Sequence, residues 1–201
     1  MAQSPIVKAT IQTATITAMS NLIAQVISAQ QENKPITINP TPLIQFILFS
    51  LVSTPPNYLW QEFLESTWPG YYTPSSKDSN PKKDDPKKEG TIKGQPPKLH
   101  KTNTAIKTVL DQTIGAAANT LMFSLFMGGI KDLMEVGVMD FGGVWNRAMG
   151  EFWGIVFAGW RFWPLVSFVN FVFLESVESR NLLGGLAGLG WGVYLSLGGG
   201  R

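Results

Sequence analysis

The stretch AIKTVLDQTIGAAANTLMFSLFMGGI, from Ala105 to Ile130, decides the fold class of this chain. It is longer than the ~20 apolar residues that a helix needs to cross the hydrocarbon core of a bilayer. It nevertheless carries Lys107, Asp111 and Gln112 in its first third. A charged side chain at the centre of a bilayer costs roughly 2.5–3.5 kcal/mol, so we expect these groups to face protein or water and not lipid.

The composition of the whole chain favours a membrane protein. Of the 201 residues, 44% are hydrophobic and 15% are charged, against about 25% charged residues in ordinary globular proteins. Eight of the twelve lysines lie between Lys77 and Lys101, which leaves the remainder strongly hydrophobic. The net charge of +2 is too small to indicate a nucleic-acid-binding protein.

The sequence shows no catalytic arrangement. The chain has no cysteine and one histidine, His100, which removes Cys/His nucleophiles, disulfides and nearly every zinc arrangement. No Gly-rich phosphate loop follows a strand. We therefore expect a protein that is not an enzyme and that has no catalytic, cofactor-binding or metal site.

Five apolar segments predict an all-α fold, a multi-pass transmembrane helix bundle with four to five membrane segments. They cover about residues 6–29, 42–60, 105–130, 152–174 and 182–199 within a single membrane domain, residues 1–201. The pair Pro55-Pro56 predicts a kink or an end of the second segment. Residues 66–104 are rich in Lys and Pro and predict a disordered loop.

The distribution of charge predicts the orientation of the bundle. Eight lysines stand against four acidic residues between Lys77 and Lys101, whereas the segment from Lys131 to Glu151 has two basic and four acidic residues. The positive-inside preference places the Lys-rich loop on the cytosolic side, or in the matrix if the membrane is mitochondrial. Aromatic residues near the start of this loop are typical of a membrane interface, namely Trp60, Trp68, Tyr71 and Tyr72.

Polar side chains on one face of the third segment predict a polar seam through the bundle. Lys107 and Asp111 are i, i+4 neighbours and are expected to pair. The first segment carries a similar polar face, so the candidate seam residues are Asn21, Gln25, Lys107, Asp111, Gln112 and Asn119. Two interpretations stay open. Either the seam ties the helices together, or it lines an aqueous path for small solutes in which Lys107 favours anionic ones.

Glycines recur at every fourth position of the last segment. Such a spacing predicts a smooth helix face on which another helix packs closely. The residues of this face are Gly184, Gly188 and Gly192.

Three motifs carry a resemblance to a known family. Lys107-x-x-x-Asp111-Gln112 is similar to K-x-x-x-D-Q of the Mpv17/PMP22 family of small organelle membrane proteins. The other two resemble the family's W-P-x-x-Q-x-x-N-F, with Ser167 in place of Gln, and its closing W-N-x-Y-L-S. With a nearby arginine, the family-motif residues are Trp163, Pro164, Asn170, Phe171, Arg180, Trp191, Tyr194 and Ser196. The N-terminal half departs further from the family, with Asn21 in place of an acid and Tyr58 in place of a histidine.

The resemblance implies an integral organelle membrane protein that acts on permeability to small solutes. We expect a channel-like or permeability-modulating protein; the alternative is a non-conducting scaffold that recruits partners through its Lys-rich loop. The expected partners are the lipid bilayer, small solutes if the protein is a channel, and further copies of the chain in a homo-oligomer, with no nucleic acid. The peroxisomal membrane is favoured over the mitochondrial inner membrane, because no arginine precedes Arg147.

Overall fold

The computed structural model describes residues 4–72 and 98–196, and within these ranges the chain is almost entirely helical. The helices are α1 (Pro5–Gln31), α2 (Pro40–Thr67), α3 (Lys101–Leu110), α4 (Ala116–Glu135), α5 (Phe141–Gly159), α6 (Trp163–Phe173) and α7 (Val177–Ser196). Two short strands, β1 (Tyr71–Tyr72) and β2 (Lys98–Leu99), pair antiparallel, with Tyr71 opposite Leu99. The prediction of a mainly α-helical fold is confirmed.

The third apolar segment forms the longest helix. A π-helical turn, Asp111–Gly115, joins α3 to α4, so that one helix runs from Lys101 to Glu135. Helices α5 and α6 are bent against each other by 55°. The bend lies where Trp163-Pro164 begins α6, because proline is tolerated in the first turn of a helix but not inside it.

Helix length and hydropathy identify fewer membrane spans than the sequence patterns predict. Within the described ranges, Lys101–Glu135 is the one helix long and apolar enough to cross a membrane, or there are two if the bent pair α5 and α6 is a single span. The predicted four to five spans are therefore not confirmed. The first, second and fifth segments do form the helices α1, α2 and α7. Threonines in α1, prolines in α2 and glycines in α7 lower their hydropathy.

Two predicted boundaries are wrong. Helix α2 passes through Pro55 and Pro56 and ends at Thr67, although the predicted second segment ended at Trp60. Both ends of the expected disordered loop, residues 66–104, have regular structure instead, because β1 pairs with β2 and α3 begins at Lys101. The middle of that loop, residues 73–97 with most of the lysine cluster, lies outside the described residues.

The described helices bury polar side chains and expose large apolar ones. Eleven polar or charged residues are buried against eight hydrophobic ones, while 32 large hydrophobic side chains are exposed. On α5, for example, Trp145, Trp153 and Phe157 are exposed. Proteins in water mostly show the opposite distribution, whereas a bundle in lipid keeps its polar groups inside. The distribution supports the membrane character that the composition predicts.

Helix α1 packs against α2 and α7, and α4 packs against α5. The close contact between α1 and α7 is at Gly185, where an added Cβ would lie 3.3 Å from Cδ1 of Ile16. Nearby, the Ser20 hydroxyl donates to the Leu189 carbonyl oxygen at 3.0 Å. The predicted packing face is wrong in register, because a Cβ at Gly184 or Gly188 would meet no atom within 4 Å. The side-chain surroundings of Gly192 lie outside the described residues.

Candidate functional site

A cavity of about 380 Å³, lined by both polar and apolar side chains, lies between the helices of the bundle. Its wall is formed by α1, α2, the π-helical turn, and α4 to α7. Along α2 the wall runs from Phe46 to Gln61, which is about 22 Å at 1.5 Å per residue. This length is about three quarters of the ~30 Å thickness of a bilayer's hydrocarbon core.

The two polar faces that the sequence predicts lie on this same cavity. Asn21 lines it from α1, while Asp111, Gln112 and Asn119 line it from the opposite helix. Gln25 has another role, because its amide bonds to the backbone oxygen and nitrogen of Asn39 at 2.9 and 2.7 Å. It fastens the end of α1 to the N-cap of α2.

Asp111 is the centre of a hydrogen-bond network at the cavity wall. Its Oδ1 accepts from Nε2 of Gln61 at 2.9 Å and from Nε1 of Trp60 at 3.3 Å. Its Oδ2 accepts from the Ser167 hydroxyl at 2.5 Å and from Nε2 of Gln112 at 3.4 Å. Three helical segments thus meet at one carboxylate, which links α2, the π-helical turn and α6.

The π-helical turn gives Asp111 its position. Gly115 lies against the Trp60 indole, since a Cβ there would be 2.9 Å from Nε1 of Trp60. A rigid ring cannot yield to such a contact, so the absence of a side chain at this position is required. On the other side, Nε1 of Trp160 donates to the Gln112 carbonyl oxygen at 2.8 Å. Two indoles hold the turn in place.

A second polar centre, the ion cluster of Glu65, Lys107 and Arg180, lies one helical turn away from Asp111. Nζ of Lys107 is 2.6 Å from Oε2 of Glu65, and Nη1 of Arg180 donates to the same oxygen. Lys107 and Arg180 are almost completely buried, with 0% and 1% exposure. Both cations also lie over the Phe171 ring, 5.0 and 5.4 Å from its centroid. Cations at this distance are attracted to the face of an aromatic ring.

The ion cluster is closed by the backbone around it. The Gly70 amide donates to Oε1 of Glu65 at 2.7 Å. A Cβ at Gly70 would lie 2.7 Å from Nζ of Lys107. Nε of Arg180 donates to the Leu174 carbonyl oxygen at 2.9 Å. The cluster therefore ties the end of α2 to α3 and to the connection between α6 and α7.

Glu65 lies beyond the apolar part of α2, and the groups around it in the ion cluster shift its pKa. Burial by itself would raise the pKa of Glu65. The Gly70 amide, Lys107 and Arg180 outweigh burial and hold the pKa of the carboxyl below its ordinary value of 4.5. The carboxylate is thus the favoured form, as the two buried cations require.

The predicted pair of Lys107 with Asp111 is wrong. Lys107 binds Glu65 and is absent from the cavity wall, so it has no part in an aqueous path there and sets no preference for anions. The i, i+4 rule holds for exposed helix faces. Here both side chains are directed to groups on other helices, which a pattern on one helix cannot reveal.

The family-motif residues lie mainly at the ion cluster and at the cavity. Arg180 belongs to the ion cluster and Phe171 packs against its two cations, while Asn170, Trp163 and Trp191 line the cavity. Trp163 and Trp191 pack edge to face at 6.2 Å between centroids, and Tyr194 stacks on Trp191 at 5.2 Å. Pro164 begins α6. The side chain of Ser196 lies outside the described residues.

Sequence reasoning missed Glu65, Gln61 and the role of Ser167. Glu65 and Gln61 are i, i+4 neighbours on α2, and this spacing would have placed both on one face if the helix had been extended past the two prolines. The sequence pattern places Trp60 at the membrane interface, yet its indole donates to Asp111. Within the described part of the chain no group of three metal-binding side chains occurs.

Comparison with known proteins points to the same family as the motifs. The sequence model of the Mpv17 / PMP22 family matches residues 137–196. The comparisons support membership of the Mpv17/PMP22 family. The match covers α5 to α7, which hold the motifs around Trp163, Arg180 and Trp191, while Lys107 and Asp111 lie outside it.

A curated relative of this chain is PXMP2/4 family protein 3 of Dictyostelium discoideum. The two are 48% identical over 40 residues, which is 20% of this chain and 21% of the relative. The chain thus aligns with about a fifth of the length of that relative. No solved structure matches the chain significantly. The family indicates a membrane protein of an organelle and leaves open which one.

Proposed function

We propose that this Mpv17/PMP22 family protein passes small solutes across an organelle membrane through the cavity. The observation that carries the proposal is the cavity itself, about 380 Å³, to whose wall α1, α2, the π-helical turn and α6 contribute polar side chains, inside a bundle whose outer faces are apolar. A purely structural seam would fill its polar interior with direct contacts between side chains. Here the polar faces of α1 and of the opposite helix lie on a common space instead.

The proposal includes the crossing of the membrane by α1, α2, the helix of Lys101–Glu135, the bent pair α5 and α6, and α7. Among the helices proposed to cross the membrane on their own, α7 is the shortest, with 20 residues, about 30 Å of length. The peroxisomal membrane is our first choice and the mitochondrial inner membrane the second. Imaging of a fluorescent fusion with markers for both organelles distinguishes them.

Solute flux in liposomes tests the proposal. Purified full-length protein should release trapped solutes of about the volume of the cavity and retain dextrans, and Gly188→Leu should reduce the release severalfold. Gly188 lines the cavity, and an added Cβ there would meet no atom within 4 Å. The expected loss therefore reflects obstruction and not misfolding, which an unchanged melting temperature in detergent checks.

Gly154→Leu is the matched control for this experiment. Gly154 also has no atom within 4 Å of an added Cβ, but it lies exposed on the outer side of α5. This variant should conduct like the unmodified protein. Absence of flux from the unmodified protein would reject the channel and favour the non-conducting scaffold. Equal flux from both glycine variants would reject the cavity as the path.

A further inference from the structure

Three buried oxygen atoms in the cavity wall lack a hydrogen-bond donor. They are Oε1 of Gln61, Oε1 of Gln112 and Oδ1 of Asn170. Buried polar groups in native proteins nearly always have a partner, and each exception requires an explanation. Three exceptions among the residues of one cavity, all of them amide oxygens, leave this part of the wall with acceptors that a bound molecule carrying N–H donors would satisfy.

The orientation of the two glutamines follows from Asp111. Nε2 of Gln61 donates to the carboxylate, and Nε2 of Gln112 donates to the Ser167 hydroxyl at 2.7 Å. That hydroxyl uses its own proton on Asp111. Rotating either amide by 180° would set its oxygen against an acceptor, so both carbonyl oxygens remain free as acceptors. Asn170 is three residues after Ser167 on α6, and residues at this spacing share a helix face.

The network of the two glutamines contains one acidic group, Asp111. Its four donors are neutral groups, so no cation binds it directly. Arg180 also reaches the cavity wall. Its guanidinium, however, is bound to Glu65 and to the Leu174 and Glu175 carbonyl oxygens. The cation of the wall is thus already paired, and the carboxylate is not.

We propose that Gln61, Asp111, Gln112 and Asn170 form a binding site for small organic cations that donate several hydrogen bonds, such as primary ammonium compounds. The inference rests on the proposed function, because it names the class of solute that the same cavity takes. An ammonium group has three N–H donors and no acceptor, which complements a carboxylate beside three free amide oxygens. An anion would place further acceptors among acceptors. The donors, and not the charge alone, are the basis of recognition.

Two cations of equal charge distinguish the contribution of the N–H donors from that of the charge. Methylammonium has three N–H donors, whereas tetramethylammonium has none. Each is titrated against the purified full-length protein in detergent, at an ionic strength held constant with sodium chloride, and binding is measured as a rise in melting temperature. We expect a dissociation constant for methylammonium at least threefold lower than that for tetramethylammonium. Equal binding of the two cations, or binding of neither, would overturn the proposal.

A pair of variants of matched shape locates the site. Asn170→Leu removes a free oxygen of the cavity wall and should weaken methylammonium binding at least threefold. Thr104→Val removes another buried oxygen without a partner, but one that lies outside the cavity wall, and should leave binding unchanged. Equal effects of the two variants would overturn the assignment.

The outcomes also separate this site from the channel. Selective methylammonium binding without flux in liposomes would support the site and reject the channel. Flux without a preference for methylammonium would support the channel and reject the site.

Discussion

The ion cluster and the Asp111 network lie one turn apart on the same helix and differ in how completely they are satisfied. In the ion cluster the Glu65 carboxylate binds both cations and a backbone amide, and Lys107 is fully buried. Around Asp111 the carboxylate is satisfied, but the two glutamines that bind it line a cavity and keep oxygens without a donor. A single polar stripe in the sequence therefore contains a closed part that holds helices together and an open part that is available to a solute.

The largest effect is expected from Glu65→Gln. The substitution leaves Lys107 and Arg180 buried without a counter-ion, which should lower the free energy of unfolding by about 3 kcal/mol, since removing one partner of a buried ion pair costs roughly 3–5 kcal/mol. Lys107→Met leaves the pair of Glu65 and Arg180 intact and should cost less than Glu65→Gln, because no charge is then left buried without a partner. Melting in detergent measures both variants.

Equal melting temperatures for these two variants would show that the ion cluster does not depend on a shared carboxylate.

Exchanging the charges of Lys107 and Asp111 tests whether the two residues belong to separate networks. If Lys107 and Asp111 belong to separate networks, the double variant Lys107→Glu with Asp111→Lys should be no more stable than Lys107→Glu alone. Recovery of stability in the double variant would contradict the division into two centres.

A smaller effect is expected from Asp111→Asn. The new amide nitrogen faces groups that donate to the carboxylate, so one or more donors from α2 and α6 lose their acceptor. The cost should be about 1.5–3 kcal/mol, the range for hydrogen bonds to a charged group. Asn119→Ala, at the same cavity but without such a network, should change stability by less than about 0.5 kcal/mol. Thermal unfolding of the two variants side by side decides whether Asp111 organises the wall.

The smallest effect is expected from pH. Because the pKa of Glu65 is lowered in the folded protein, its contribution is fully present above the ordinary value of 4.5 and is lost as the pH falls through the folded value. Between pH 7 and 5 the melting temperature should therefore change little through this group, with a decline below about pH 4.5. In Glu65→Gln this decline should be weaker. An identical pH profile for the variant would remove Glu65 from the acid response.

The sequence predicts the helices and the inward direction of the polar stripe, because both follow from local physical rules. Apolar length defines a helix in lipid, and the cost of burying charge in lipid keeps Lys107 and Asp111 inside. The partner of Lys107 does not follow from such local rules. Glu65 lies 42 residues away, and no periodicity on one helix encodes which helix lies opposite. The continuation of α2 through Pro55 and Pro56 escapes sequence reasoning for a related reason, since tertiary contacts at Gln61 and Glu65 hold the helix beyond its prolines.

The glycines of α7 show the limit of motif reasoning. Gly184 and Gly188 have the spacing of a packing face, yet they border the cavity, and Gly185 makes the close contact with α1. Spacing alone indicates which glycines share a helix face. It does not indicate whether that face meets a neighbouring helix or an open space.

The π-helical turn at Asp111–Gly115 has a consequence for the rotational phase of its helix. One additional residue in a turn rotates the preceding half of the helix by about 100° relative to the half after the turn. Lys107 therefore meets Glu65 while Asn119, after the turn, still faces the cavity. Deleting one residue from the turn would restore a regular α-helix and remove this rotation. Lys107 on α3 could then no longer meet Glu65 while Asn119 on α4 faces the cavity. The irregular turn works as a fixed angular offset between two halves of one helix, and each half is thereby aligned with a different part of the bundle.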